Sequence, residues 1–149
     1  MYHMVQRLVV TTRTVATPHE VYAALRDPDT WTAWSGMDSV RLDTPAVGDP
    51  NGVGSVRALD RGRVHGHDQI VELIDGQRFS YIHLRGLPVL DYRADVDLEP
   101  VDGGTQIAWR VSFRPKYAGT GWVWRRGIEK MLREMTTGLA AYCEAHAKG

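Results

Sequence analysis

Three histidines are the residues best spaced to do chemistry. His65 and His67 are two apart, so on a strand both rings share one face, and His83 lies in the next strand-like segment. Three imidazoles gathered this way would imitate a metal site. Alternatively, His67 and His83 would act as an acid/base pair or as hydrogen-bond partners of a ligand. Ordinary satisfied or exposed histidines are the plainer reading. Arg57 and Arg85 are the cations that suit an anchor for a carboxylate or phenolate. Weak catalytic candidates are therefore His67, His83 and Arg85. No carboxylate is clearly placed behind the histidines, and one cysteine, Cys143, excludes an internal disulfide and a multi-cysteine zinc site. No metal and no cofactor are expected. The chain has no phosphate-binding glycine loop, no G-x-G-x-x-G, no nucleophile elbow and no H-E-x-x-H, so nucleotide-dependent and serine-hydrolase chemistry find no support.

The second group is aromatic and apolar. Trp31 and Trp34 are three apart on a short helical segment. They either pack that segment onto a sheet or, in the case of Trp34, line an entrance and stack on a flat ligand. Met131 and Met135 share a helical stripe, where flexible thioethers suit either a core or an adaptable cavity. Cys143 lies near the chain end with no basic neighbour and reads as structural.

The elements that position these residues follow from pattern. Residues 5–15 are rich in Val and Thr and predict a strand. Thr17-Pro18-His19-Glu20 is a helix start, with Thr17 as cap, Pro18 at the first position and Glu20 closing a capping box. Asp27-Pro28 restarts the chain as a second short helix through Trp31 and Trp34, and Gly36 stops it. Strands are then predicted at 40–42, 53–59, 64–74, 79–85, 90–99 and 105–114. The turn signals between them, such as Asp75-Gly76 and Asp102-Gly103-Gly104, are too close for crossover helices, so the sheet is an antiparallel meander. Trp124, Ile128, Met131, Leu132, Met135, Leu139 and Tyr142 form one stripe of a final helix of about 26 residues, about 39 Å long.

Alternation assigns the faces. Ile107, Trp109, Val111 and Phe113 point inward on the last strand, as do Tyr92, Ala94, Val96 and Leu98 on the one before. The opposite faces carry alternating Asp and Arg and read as solvated. Counting back from the Gly86–Pro88 turn sets Tyr81 near Ala94 and His83 near Tyr92, so Phe79, Tyr81, His83 and Arg85 would face inward. Polar groups on an inward face need partners, water or a ligand, which predicts a cavity of roughly 300 Å³ or more.

Composition bounds the rest. The chain has 149 residues, 18 Lys plus Arg against 18 Asp plus Glu, and 43% apolar residues, as expected for a single globular domain spanning 1–149. Zero net charge disfavours nucleic acid and polybasic membrane-surface binding. No stretch approaches the about 18 apolar residues of a membrane span, so no stable membrane insertion is expected. The start, Met1-Tyr2-His3-Met4, lacks a secretory pattern, and the expected location is cytoplasmic.

In order and spacing, several segments resemble the superfamily of START lipid-transfer domains, major pollen allergens and polyketide cyclases/dehydrases, often called SRPBCC. They are Thr17-Pro18-His19-Glu20-Val21-Tyr22, Asp27-Pro28-Asp29-Thr30-Trp31-Thr32-Ala33-Trp34, Gly52-Val53-Gly54-Ser55-Val56-Arg57, Gly86-Leu87-Pro88-Val89 with Asp91-Tyr92, Gly103-Gly104-Thr105 before Trp109, and Phe113-Arg114-Pro115. The similarity is to the cyclase/dehydrase-like branch. It implies an α+β helix-grip fold: a curved antiparallel sheet of about six or seven strands wrapped around a long C-terminal helix, with two short helices after the first strand. It also implies a small hydrophobic molecule, aromatic, polyketide-like or lipid-like, in a cavity between sheet and helix. The ligand-lining set would be Trp34, Arg57, Tyr81, His83, Tyr92, Trp109, Phe113, Met131 and Met135. An aromatase/cyclase-type enzyme orienting its substrate with pocket His, Arg and Tyr is the alternative, and a co-chaperone-like interaction module the third. A monomer or homodimer is expected.

Overall fold

The computed structural model describes residues 4–147. Met1–His3, with which the expected absence of a secretory pattern begins, lie outside the described residues. Strand β1 (Gln6–Thr14) leads into helix α1 (Pro18–Arg26) and a short 3-10 helix (Pro28–Ala33). Six strands follow: β2 (Ser39–Thr44), β3 (Val56–Arg61), β4 (Val64–Ile74), β5 (Arg78–Arg85), β6 (Val89–Val101) and β7 (Gly104–Pro115). Helix α2 (Gly121–His146) closes the chain. The strands form one curved antiparallel sheet in the order β1-β7-β6-β5-β4-β3-β2, with α2 across its inner face. This is the helix-grip fold. None of its described helices is long and apolar enough to cross a membrane.

The local signals operate as their chemistry demands. Glu20 donates its backbone N–H to Thr17 Oγ1, and the Thr17 backbone N–H donates to Glu20 Oε1, so the capping box is complete. Trp31 lies in a 3-10 helix rather than an α-helix and Trp34 is its C-cap; Asp27 caps the start by accepting from the Asp29 N–H. β2 is longer than 40–42 because it pairs with β3 from Ser39 to Thr44. β3 begins at Val56 rather than 53, since residues 51–54 form a turn in which Val53 is exposed.

The inward residues of β6 and β7 form the core: Ala94, Val96, Ile107 and Trp109 are fully buried. The outer face is a lattice of ion pairs, including Arg78 with Glu72 and Asp97, and Arg93 with Glu72 and Asp95. α2 reaches the 3-10 helix through Gly138, where a Cβ would come within 2.1 Å of the Trp34 carbonyl oxygen. Any side chain there would lift the helix off the sheet.

Candidate ligand-binding cavity

A cavity of about 150 Å³ lies between α2 and the inner faces of β3 to β6. It is about half the size expected from the sequence. Met135 of α2 and Tyr81 and Tyr92 of the sheet occupy much of the space. Their opposite walls are Trp31, Leu59, Gly66, Asp68 and His83, with Met37, Arg61, Val64, Leu87 and Met131 toward the rim. The walls are mostly apolar.

The polar groups come from β4 and β5. Ile70 is buried against the core, so alternation along β4 turns Asp68 and Gly66 inward with it. Asp68 pairs with His83 across the strands, and Tyr81 pairs with Ile70 on one side and Ala94 on the other. His83 Nδ1 lies 2.8 Å from Asp68 Oδ1, and the Leu87 backbone N–H donates to His83 Nε2 at 3.0 Å. His83 also meets the edge of Tyr92, with ring centroids 5.8 Å apart. Both side chains of this hydrogen-bonded pair are largely buried, 8% exposed for His83 and 16% for Asp68. Burial pushes the Asp68 carboxyl above the usual carboxylate range, opposed by the hydrogen bond from His83. The Tyr81 and Tyr92 phenols are raised for the same reason, burial first and the neighbouring negative groups second.

The other candidates lie elsewhere. His67 and His65 occupy the opposite face of β4 from Asp68: His67 stands across from Ala58, and His65 Nδ1 sits 2.7 Å from Asp60 Oδ1. They do not meet His83, and no group of three His, Cys, Asp or Glu residues that could hold a metal occurs among the described residues. Arg85 was expected inward, but a bulge between the Asp68–His83 and His67–Arg85 pairs adds one residue to β5 and turns Arg85 to the outer face. Trp34 is buried and does not line the cavity; it packs on Trp31 at 4.5 Å and donates its indole N–H to Thr30 Oγ1. Trp109 and Phe113 are buried behind the lining residues.

Arg57 is inward and 2% exposed, yet its guanidinium points at the end of α1 rather than into the cavity. It donates to the carbonyl oxygens of Leu25, at 2.9 Å, and Arg26, and stacks over Trp31 and Phe79. Those carbonyls lie in the last turn of a helix, where a cation is favoured. Burial, with the nearby Arg26 charge, pulls the Arg57 pKa down to about 10, so it stays charged at neutral pH. Cys143 is buried and its thiol is pushed up to about 11, mainly by burial.

Asp68 is the functional candidate that the sequence reading missed. Its signal was present: counting two residues back from Ile70 in an alternating strand places it inside. Trp31, rather than Trp34, faces the cavity, because Trp31 lies within the 3-10 helix whereas Trp34 is its C-cap and leaves the helical path at φ −138°.

The sequence matches the family described as Polyketide cyclase / dehydrase and lipid transport over residues 6–144. The chain belongs to this family. Such membership supports binding of a hydrophobic ligand in general. Two solved structures share the fold. One is protein CV1439 from Chromobacterium violaceum, 18% identical, with a TM-score of 0.72 over 93% of this chain and 96% of the other. The second is Ara h 8.0201, 16% identical, with a TM-score of 0.75 over 95% of this chain and 99% of the other. No protein in the curated set matches the sequence.

Proposed function

We propose that this family member binds a small hydrophobic molecule, about the size of one aromatic ring, between the sheet and α2. The observation that carries this reading is a mostly apolar cavity of about 150 Å³ inside an otherwise close-packed domain. A cavity of that volume matches the space that one benzene ring fills. Met131 and Met135 on one wall give it adaptable edges.

The binding reading outweighs the cyclase alternative on two physical grounds. A folded poly-β-ketone needs far more room than one ring. In addition, His83 has both ring nitrogens engaged, so it holds no free lone pair for a substrate proton. An interaction module using the outer sheet face is disfavoured because the charges there already pair with one another.

The test is a thermal and fluorescence titration with toluene. Trp31 lines the cavity, so its emission should change on binding. Saturation at about 100 times Kd should stabilise the fold by about 2.7 kcal/mol. Met135→Trp, which fills the cavity, should remove both responses in a protein that still unfolds cooperatively. Equal responses in the wild type and the filled variant would place the ligand elsewhere and refute the reading.

A further inference from the structure

We infer that the cavity selects an uncharged ring bearing a hydrogen-bond donor, a hydroxyl or amino group, and that Asp68 is the residue that selects it. The inference rests on the ligand-binding reading above and adds the chemistry of the ligand.

The chain of hydrogen bonds that reaches Asp68 starts outside the cavity, at the β5–β6 turn. The Leu87 backbone N–H donates to His83 Nε2, so that nitrogen must present its lone pair. The imidazole hydrogen is then on Nδ1, which faces Asp68 Oδ1 at 2.8 Å and donates to it. One oxygen of Asp68 is thus committed to His83. No hydrogen-bond partner occurs for the other oxygen, Oδ2, among the described residues, and Asp68 belongs to the cavity wall. With Asp68 ionised, the form that the hydrogen bond from His83 favours, the relay from backbone to histidine to carboxylate leaves a ligand an acceptor that cannot donate.

Tyr81 and Tyr92 also line the cavity, but a phenol both donates and accepts and so does not discriminate. Arg57, the nearest buried cation, is occupied with the end of α1. A ligand carboxylate would meet the Asp68 carboxylate, and the one arginine in the lining, Arg61, stands at the rim beside Glu134, 3.7 Å away. An acceptor-only ligand would leave Oδ2 unpaired in a mostly apolar space, whereas a donor would satisfy it. This reverses the expectation that arginines anchor an anion here.

Benzyl alcohol and acetophenone separate the cases, with toluene as the control for the cavity itself, all measured by calorimetric titration. The wild type should bind benzyl alcohol at least about tenfold more tightly than acetophenone, the lower end for a hydrogen bond to a charged group. In Asp68→Asn the His83 Nδ1–H still needs an acceptor, so the amide oxygen turns to His83 and the amide nitrogen turns to the cavity. Both probes can accept from that nitrogen, and the ratio should fall toward one. A wild-type ratio near one, or an unchanged ratio in the variant, would overturn the inference while toluene still bound. Failure of toluene to bind would instead refute the underlying cavity reading. Should the variant not fold, nitrogen NMR of the wild-type histidines decides the relay on its own. A hydrogen on His83 Nδ1 and none on Nε2 is expected, and the opposite tautomer would overturn it.

Discussion

The space under α2 has two ends, and they are built differently. At one end Trp31 and Trp34 pack at 4.5 Å, and Trp109 stands 6.2 Å from each ring. Phe79 closes the group against Trp31, and Gly138 lets α2 press onto the Trp34 backbone. At the other end β5 carries His83 instead of Phe79, β4 carries Asp68 instead of Ile70, and α2 offers methionines. The same strands therefore serve a sealed core and an open cavity. Two features mark the open end: polar side chains that must be hydrogen-bonded keep fixed positions, and the bulge between the Asp68–His83 and His67–Arg85 pairs re-aims the residues near the rim. Arg57 marks the border, its charge spent on capping α1.

The largest effect that can probe this contrast is at the sealed end. Trp109→Ala should cost about 3–5 kcal/mol in urea denaturation, as expected for a large aromatic in a closed core. Met131→Ala, half-buried at the open end, should cost less than half of that. Equal costs would erase the distinction between the ends.

Arg57→Met is next. It removes the guanidinium bonds to the Leu25 and Arg26 carbonyls, of which only Leu25 keeps a side-chain donor, the Trp31 indole N–H, and should cost about 1–3 kcal/mol, while toluene affinity changes less than twofold. A large loss of affinity with stability intact would return Arg57 to the ligand site.

The smallest effect appears only in alkali. Burial holds the Tyr81 and Tyr92 phenols above the ordinary value of 10.0. The unfolded phenols ionise near that pH while the folded ones stay neutral. Their contribution to stability is therefore full below pH 10 and declines above it. Tyr92→Phe should reduce that decline by up to about 1.4 kcal/mol per pH unit, one proton's share. Denaturation midpoints from pH 9 to 11 check it; an unchanged slope would place the Tyr92 hydroxyl in water.

Much of this was legible in the residues. The alternation in β6 and β7 identified their inward faces, because each strand runs long enough for period two to be unambiguous. The stripe on α2 gave its length and its buried side. What was not legible depended on single-residue steps. The bulge that turns Arg85 outward carries no composition signal, and one extra residue inverts the face of everything beyond it. Asp68 was hidden because its more conspicuous neighbours, His65 and His67, lie on the opposite face of β4. Cavity volume depends on how far Met135, Tyr81 and Tyr92 reach across, which pattern does not specify.

The central claim is that a single ring enters the space between Met135, Tyr81 and His83. Crystals exposed to bromobenzene test it most directly, since the bromine's anomalous scattering locates the molecule without reference to the protein density. The account predicts a bromine peak enclosed by those three residues in the wild type and none there in Met135→Trp. Bromine confined to the surface, or a wild-type cavity without it at saturating vapour, would contradict the account.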